Sequence, residues 1–144
     1  MKHHGCKVDY EKQRNDDLMR AYHELIEASD VVCLRRLHKE VVNMPSERFW
    51  VSEERVAIVI ASMMKGDKLK GMRQTKREMF QEIFKRVMAL RKRFPKKSLF
   101  SIACLVVMQP APKFYITPSY AKQIYFQHSK KWYEERKPKM RRSC

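Results

Sequence analysis

A chain of 144 residues has the length for one ordinary domain with a single core, or for two very small units sharing one. Its 44% hydrophobic content argues against disorder. Only three glycines among many Leu, Met, Lys, Arg and Glu favour helices over sheet, and the longest apolar run, 102–108, is too short to span a bilayer. Thirty-two Lys and Arg stand against sixteen Asp and Glu, a formal net charge of +16 whose self-repulsion is best understood as the counterpart of a polyanionic partner.

Residues 1–14 are polar and basic and read as an N-terminal arm; His3, His4 and Cys6 lack a second ligand cluster and are not expected to hold a metal. From 16 to 28 the residues Leu18, Met19, Tyr22, Leu25 and Ile26 recur at spacings of three and four, one face of an amphipathic helix capped by Asn15 or Asp16. After a break at Ser29-Asp30 a second helix carries Leu34, Leu37 and Val41 on one side and Arg35, Arg36 and Lys39 on the other, ending before Pro45. Ser52 is a good cap for a third helix, with Glu53 and Glu54 in its first turn, Val56, Val59, Ile60 and Met63 inward, and Gly66 placed to close it.

The basic segment 65–77 reads as a linker. Beyond it Met79, Phe80, Ile83, Phe84, Val87 and Leu90 predict a fourth helix, and Ser98 caps an almost wholly apolar fifth over 99–108. Thr117 followed by Pro118 is a cap with a first-turn proline, and the sixth helix it starts should carry Ala121, Ile124, Tyr125, His128 and Trp132 inward as far as Arg136.

Two stretches match each other at a shift of about 65 residues. Pro45-Ser46-Glu47-Arg48-Phe49-Trp50-Val51-Ser52 and Pro110-Ala111-Pro112-Lys113-Phe114-Tyr115-Ile116-Thr117 share proline, small, basic, Phe, aromatic, β-branched and hydroxyl positions, and Val41-Val42 matches Val106-Val107. The expectation is an all-α fold of about six helices, a tandem duplication of a three-helix unit, with residues 15–72 and 73–136 as the copies and 137–144 as a basic tail. Phe49 and Phe114 should be buried, Trp50 and Tyr115 partly exposed.

The segments Val51-Ser52 with Val56 and Val59, and Ile116-Thr117 with Ala121 and Ile124, resemble the turn and recognition helix of helix-turn-helix DNA-binding proteins. The connection to the preceding helix is longer than the three or four residues of that motif. The second copy suits nucleic acid better than the first, whose outward residues include Glu53 and Glu54. Ser119, Tyr120, Lys122, Gln123, Gln127, Lys130 and Lys131 lie on its third helix. Lys122 and Gln123 can read guanine and adenine edges, and Lys130, Lys131, Arg136, Arg141, Arg142, Lys96 and Lys97 can meet phosphates.

The motif P-[AS]-x-[KR]-F-[WY]-[VI]-[ST], present twice, resembles a repeated motif of small basic hypothetical proteins in bacterial genomes and mobile elements. The likeness implies a mobile-element or phage-like context and no mechanism. Catalytic motifs are absent, since no Gly-rich phosphate loop, H-E-x-x-H or G-x-S-x-G occurs, and no cofactor is expected. Cys33 and Cys104, without a C-x-x-C pair, read as buried thiols of a reducing cytoplasm. The sequence therefore predicts a soluble, cytoplasmic, non-enzymatic nucleic-acid-binding protein, DNA before RNA. The alternatives are RNA binding and an interaction or structural component that meets an acidic partner. A homodimer is expected to use 56–64.

Overall fold

The computed structural model describes residues 4–137 as six helices. They are α1 (His4–Ala28), α2 (Leu34–Val41), α3 (Glu53–Met64), α4 (Gln74–Arg93), α5 (Leu99–Val107) and α6 (Pro118–Arg136). The all-α expectation is met, and a single antiparallel bridge between Ser46 and Ala111 is the β pairing found among the described residues. Three of the helices start where a hydroxyl is available to accept an orphan amide. Ser52 accepts from the N–H of Arg55, Ser98 from that of Ser101 and Thr117 from that of Tyr120. Gly66, at φ +101°, closes α3 in the left-handed turn that only glycine enters without penalty.

Two boundaries differ from expectation. Residues 4–14 are helical and not an arm, because α1 runs on through them. Helix α4 begins at Gln74, inside the stretch read as linker, and Arg77 folds back to donate to the carbonyls of Leu69 and Met72. The His3, His4 and Cys6 side chains lie outside the described residues, as does the basic tail beyond 137.

The matched stretches cross at the centre of the molecule, and their hydrogen bonds respect the 65-residue shift. Ser46 N–H donates to Ala111 O at 3.0 Å and Ala111 N–H to Ser46 O at 3.1 Å. Phe49 N–H donates to Val107 O and Phe114 N–H to Val42 O, each at 3.0 Å. Every one of these bonds has its shifted twin, so the two segments are related by a local two-fold axis through the bridge. Arginines from the long helices brace the crossing, Arg20 donating to Pro45 O and Arg86 to Pro110 O.

This crossing decides how the helices assort. One core joins α1 and α2 to α6 through Leu18, Tyr22, Leu37, Val41, Ala121, Ile124 and Trp132. The other joins α4 and α5 to α3 through Val56, Ile60, Phe80, Ile83, Ile102 and Val106. Helix α3 touches neither α1 nor α2, and α6 touches neither α4 nor α5. Each group thus holds the first two helices of one half of the sequence and the third helix of the other half. Each buried Leu, Ile, Val or Phe contributes roughly 1.5–3 kcal/mol, and much of that gain spans the exchange. Phe49 and Phe114 are buried as expected, one in each core. Tyr115, expected to be partly exposed, is also buried: it stacks on Phe49 at 6.1 Å and takes a left-handed φ of 58°.

Candidate nucleic-acid interface

Helix α6 packs one side on α1 and α2 and leaves the other side to solvent. Ala121, Ile124 and Trp132 are buried against α1 and α2, so the opposite side is fixed by helical geometry. That side exposes Ser119, Lys122, Gln123, Phe126, Gln127 and Lys130. Its neighbour α2 turns Leu37 and Val41 inward, sets His38 against Tyr125 and Phe126 of α6, and exposes Arg35, Arg36 and Lys39. No ion pair among the described residues takes up Arg35, Arg36, Lys39, Lys122 or Lys130.

Other cations are committed inside the fold. Arg20 pairs with Asp17 and Glu24, Arg86 with Glu82, and Lys113 with Glu78 at 3.4 Å. Arg48 lies over the Trp50 ring at 5.0 Å and the Tyr10 ring at 5.7 Å while donating to the carbonyls of Phe49 and Val51. Burial pushes the Tyr10 hydroxyl up to about 12, with Arg14 and Arg48 opposing the rise.

The residues singled out from sequence therefore divide. Ser119, Lys122, Gln123, Gln127 and Lys130 share one exposed surface. Tyr120 is turned toward α1, where its hydroxyl accepts from Arg14 at 3.0 Å and its ring sits under that guanidinium. Lys131 borders an open cavity of about 270 Å³ shared with Glu11, Asp16 and Glu135, an acidic setting that competes with phosphate. Arg136 folds back over the Trp132 ring at 4.2 Å, donates to Trp132 O and lies by Glu135. Lys96 and Lys97 are exposed at the corner between α4 and α5, in the other helix group. Arg141 and Arg142 lie outside the described residues.

Sequence reasoning missed Phe126, which is 60% exposed among the Lys and Gln side chains of α6. Its angular position on the helix, between Gln123 and Lys130, was the available signal. The ring lies 6.0 Å from that of His38, which is itself buried and hydrogen-bonded through Nδ1 to the Tyr22 hydroxyl at 2.6 Å. Burial lowers the His38 pKa and the positive charge of Lys122 lowers it further, so the imidazole beneath this surface stays neutral at neutral pH.

The helix-turn-helix likeness meets a geometric limit. In that motif the recognition helix packs on the helix just before it, but α5 and α6 do not touch, because the segment 108–117 carries α6 across the bridge to α2. A three-helix cluster is still present, assembled from both halves of the sequence. Among the described residues no cluster of His, Cys, Asp or Glu could hold a metal ion, and no helix is long and apolar enough to cross a membrane. No protein-family model matches the chain, and no curated protein or solved structure does either.

Proposed function

We propose that the protein binds nucleic acid, DNA foremost, through the joint surface of α6 and α2, as a regulator or accessory factor. The supporting observation is the set of exposed, unpaired cations on two adjoining helices, Arg35, Arg36 and Lys39 on α2 and Lys122 and Lys130 on α6 with Gln123 and Gln127, in a chain of charge +16. A helix of this width enters a major groove. Gln can bond adenine N6 and N7 while Lys meets guanine O6 and N7, and the remaining cations take phosphates. Phe126 offers an apolar face to a base step or an unstacked base.

Anisotropy of labelled duplex DNA, single-stranded DNA and structured RNA against salt tests the reading. Duplex preference is expected, with log affinity falling linearly in log salt and a slope corresponding to several phosphates. Lys122→Ala with Gln123→Ala should relax sequence preference, while Lys130→Ala should weaken all duplexes alike and reduce the salt slope by about one contact. Absence of binding to all three probes near about 0.1 M salt would leave an acidic protein as the partner of this surface.

A further inference from the structure

We infer that the cavity between α2, the start of α4 and the crossing segment that carries Tyr115 binds a single nucleotide, its base beside Tyr115 and its phosphate on Lys39. The cavity is open, has a volume of about 330 Å³, and includes Lys39, Thr75, Glu78, Lys113 and Tyr115 in its walls. That volume lies at the lower end of the range of ligand pockets, room for one small ligand. The equivalent place in the other half of the sequence is filled. Tyr10 stands 65 residues before Thr75 as Asp17 stands before Glu82, and each of those carboxylates holds an arginine of its own helix. The Tyr10 ring packs on the Trp50 ring at 5.7 Å, and Arg48 lies over both, 5.7 Å from the first and 5.0 Å from the second. Tyr115 and Lys113 stand where a 65-residue shift sets Trp50 and Arg48, with the Lys113 ammonium 5.5 Å over the Tyr115 ring, but Thr75 supplies no second ring. The cavity is therefore an aromatic slot without its aromatic side chain. Tyr115 also takes a left-handed φ of 58° that Trp50 does not share, backbone strain of the kind kept at ligand clamps.

The polar groups of the slot choose the ligand. A planar ring in the place that Tyr10 fills elsewhere meets the Tyr115 ring and the Lys113 ammonium, and both contacts favour an aromatic face. Glu78 accepts from Gln74 at 3.0 Å through one oxygen and from Lys113 at 3.4 Å through the other. A carboxylate has about four acceptor sites, so each oxygen keeps capacity for an N–H on the edge of a base. Guanine, whose N1–H and N2–H point the same way, fits both oxygens at once. The same carboxylate repels phosphate. Lys39, on the α2 wall, is exposed and has no ion pair among the described residues, and it is the cation left to take the phosphate. One such cation suits a monophosphate. Lys39 also borders the proposed duplex surface, but Thr75, Glu78 and Tyr115 lie outside it, so the two sites are separable.

Calorimetric titration of the full chain with guanosine 5′-monophosphate should show one site, with guanosine and inorganic phosphate each binding at least about tenfold more weakly. Thr75→Tyr, which supplies the missing ring, should abolish nucleotide binding and leave duplex binding and helical circular dichroism unchanged. Two further substitutions leave the slot unfilled and test it independently. Lys39→Ala should weaken the nucleotide by about tenfold, and Glu78→Gln should erase the preference for guanosine over uridine 5′-monophosphate. A guanosine-ended single strand that displaces the nucleotide better with a 5′-phosphate than without one identifies a strand end as the source; equal displacement identifies the free nucleotide. No binding up to about 5 mM nucleotide, equal binding by Thr75→Tyr, or inorganic phosphate competing as well as the nucleotide would overturn the inference, whatever the duplex titration shows.

Discussion

Asp17 is a carboxylate whose side chain is fully enclosed, and its partners explain its place in the core. It receives Arg20, the backbone N–H of Glu47 at 2.8 Å and the Trp50 indole at 2.9 Å, linking α1 to the first crossing segment. Asp17→Ala leaves the partly buried Glu47 amide and Trp50 indole, and Arg20, without their acceptor, so chemical denaturation should show a loss of about 2 kcal/mol. His38 gives a second prediction, through pH. Its folded pKa lies below the unfolded value of about 6.5, so the unfolded chain binds the proton more tightly. The associated stability is present above about pH 6.5 and is lost as pH falls through the lower folded value. The groups facing the ring are Tyr22, Tyr125, Phe126 and Lys122. Urea midpoints measured near about pH 7.5 and about pH 5.5 should differ in the natural chain and differ less in His38→Gln.

At the scale of the element, α6 depends on a start that was readable from two adjacent residues. Thr117→Ala removes the oxygen that accepts from Tyr120 N–H and should cost about 1 kcal/mol, seen as a lower melting temperature with unchanged native helicity. Helices and their caps were legible because their causes are local: Ser52, Ser98, Thr117, Gly66 and the apolar spacing of each segment act within a turn or two. The assortment of helices was not. Val56, Val59 and Ile60 on α3 and Ala121 and Ile124 on α6 are equivalent stripes, and either could fill either core. The choice is made by the crossing of Ser46 and Ala111, a pairing between residues far apart in sequence. The same cause limited the reading of the site. Arg35, Arg36 and Lys39 could be placed on an outward face, but only the exchange sets their helix, α2, beside α6. Lys131 was assigned to phosphate because the carboxylates near it, Glu11 and Asp16, come from α1. Cys33, expected buried, is exposed ahead of α2, where the amides of Arg36 and Arg35 lower its pKa. The 56–64 stretch, expected as a dimer surface, has Val56, Val59 and Ile60 in the core and leaves Ile58 and Met64 outside.

The exchange of third helices gives the whole molecule a property that two side-by-side bundles would lack. Helices α1, α2 and α3 lie on one side of the 65–73 connection in sequence and α4, α5 and α6 on the other, yet neither core is made from one side alone. Cutting that connection, whose Lys65, Lys68, Lys70 and Arg73 are exposed, would separate the chain without separating the cores. Each fragment would still hold the other by a complete helix interface, α6 on α1 and α2 at one end and α3 on α4 and α5 at the other, joined by the bridge between them. A protease site engineered between Gly66 and Gly71 and then cleaved should therefore yield two fragments that co-elute as one particle of the original size. They should part only in denaturant and should keep the helical signal of the uncut chain. Independent bundles would instead release two folded halves under native conditions. Release of such halves would refute the exchanged packing, and with it the placement of α2 beside α6. Co-elution would make each core the property of both halves of the sequence, and a lesion in one half should then be felt in both helix groups.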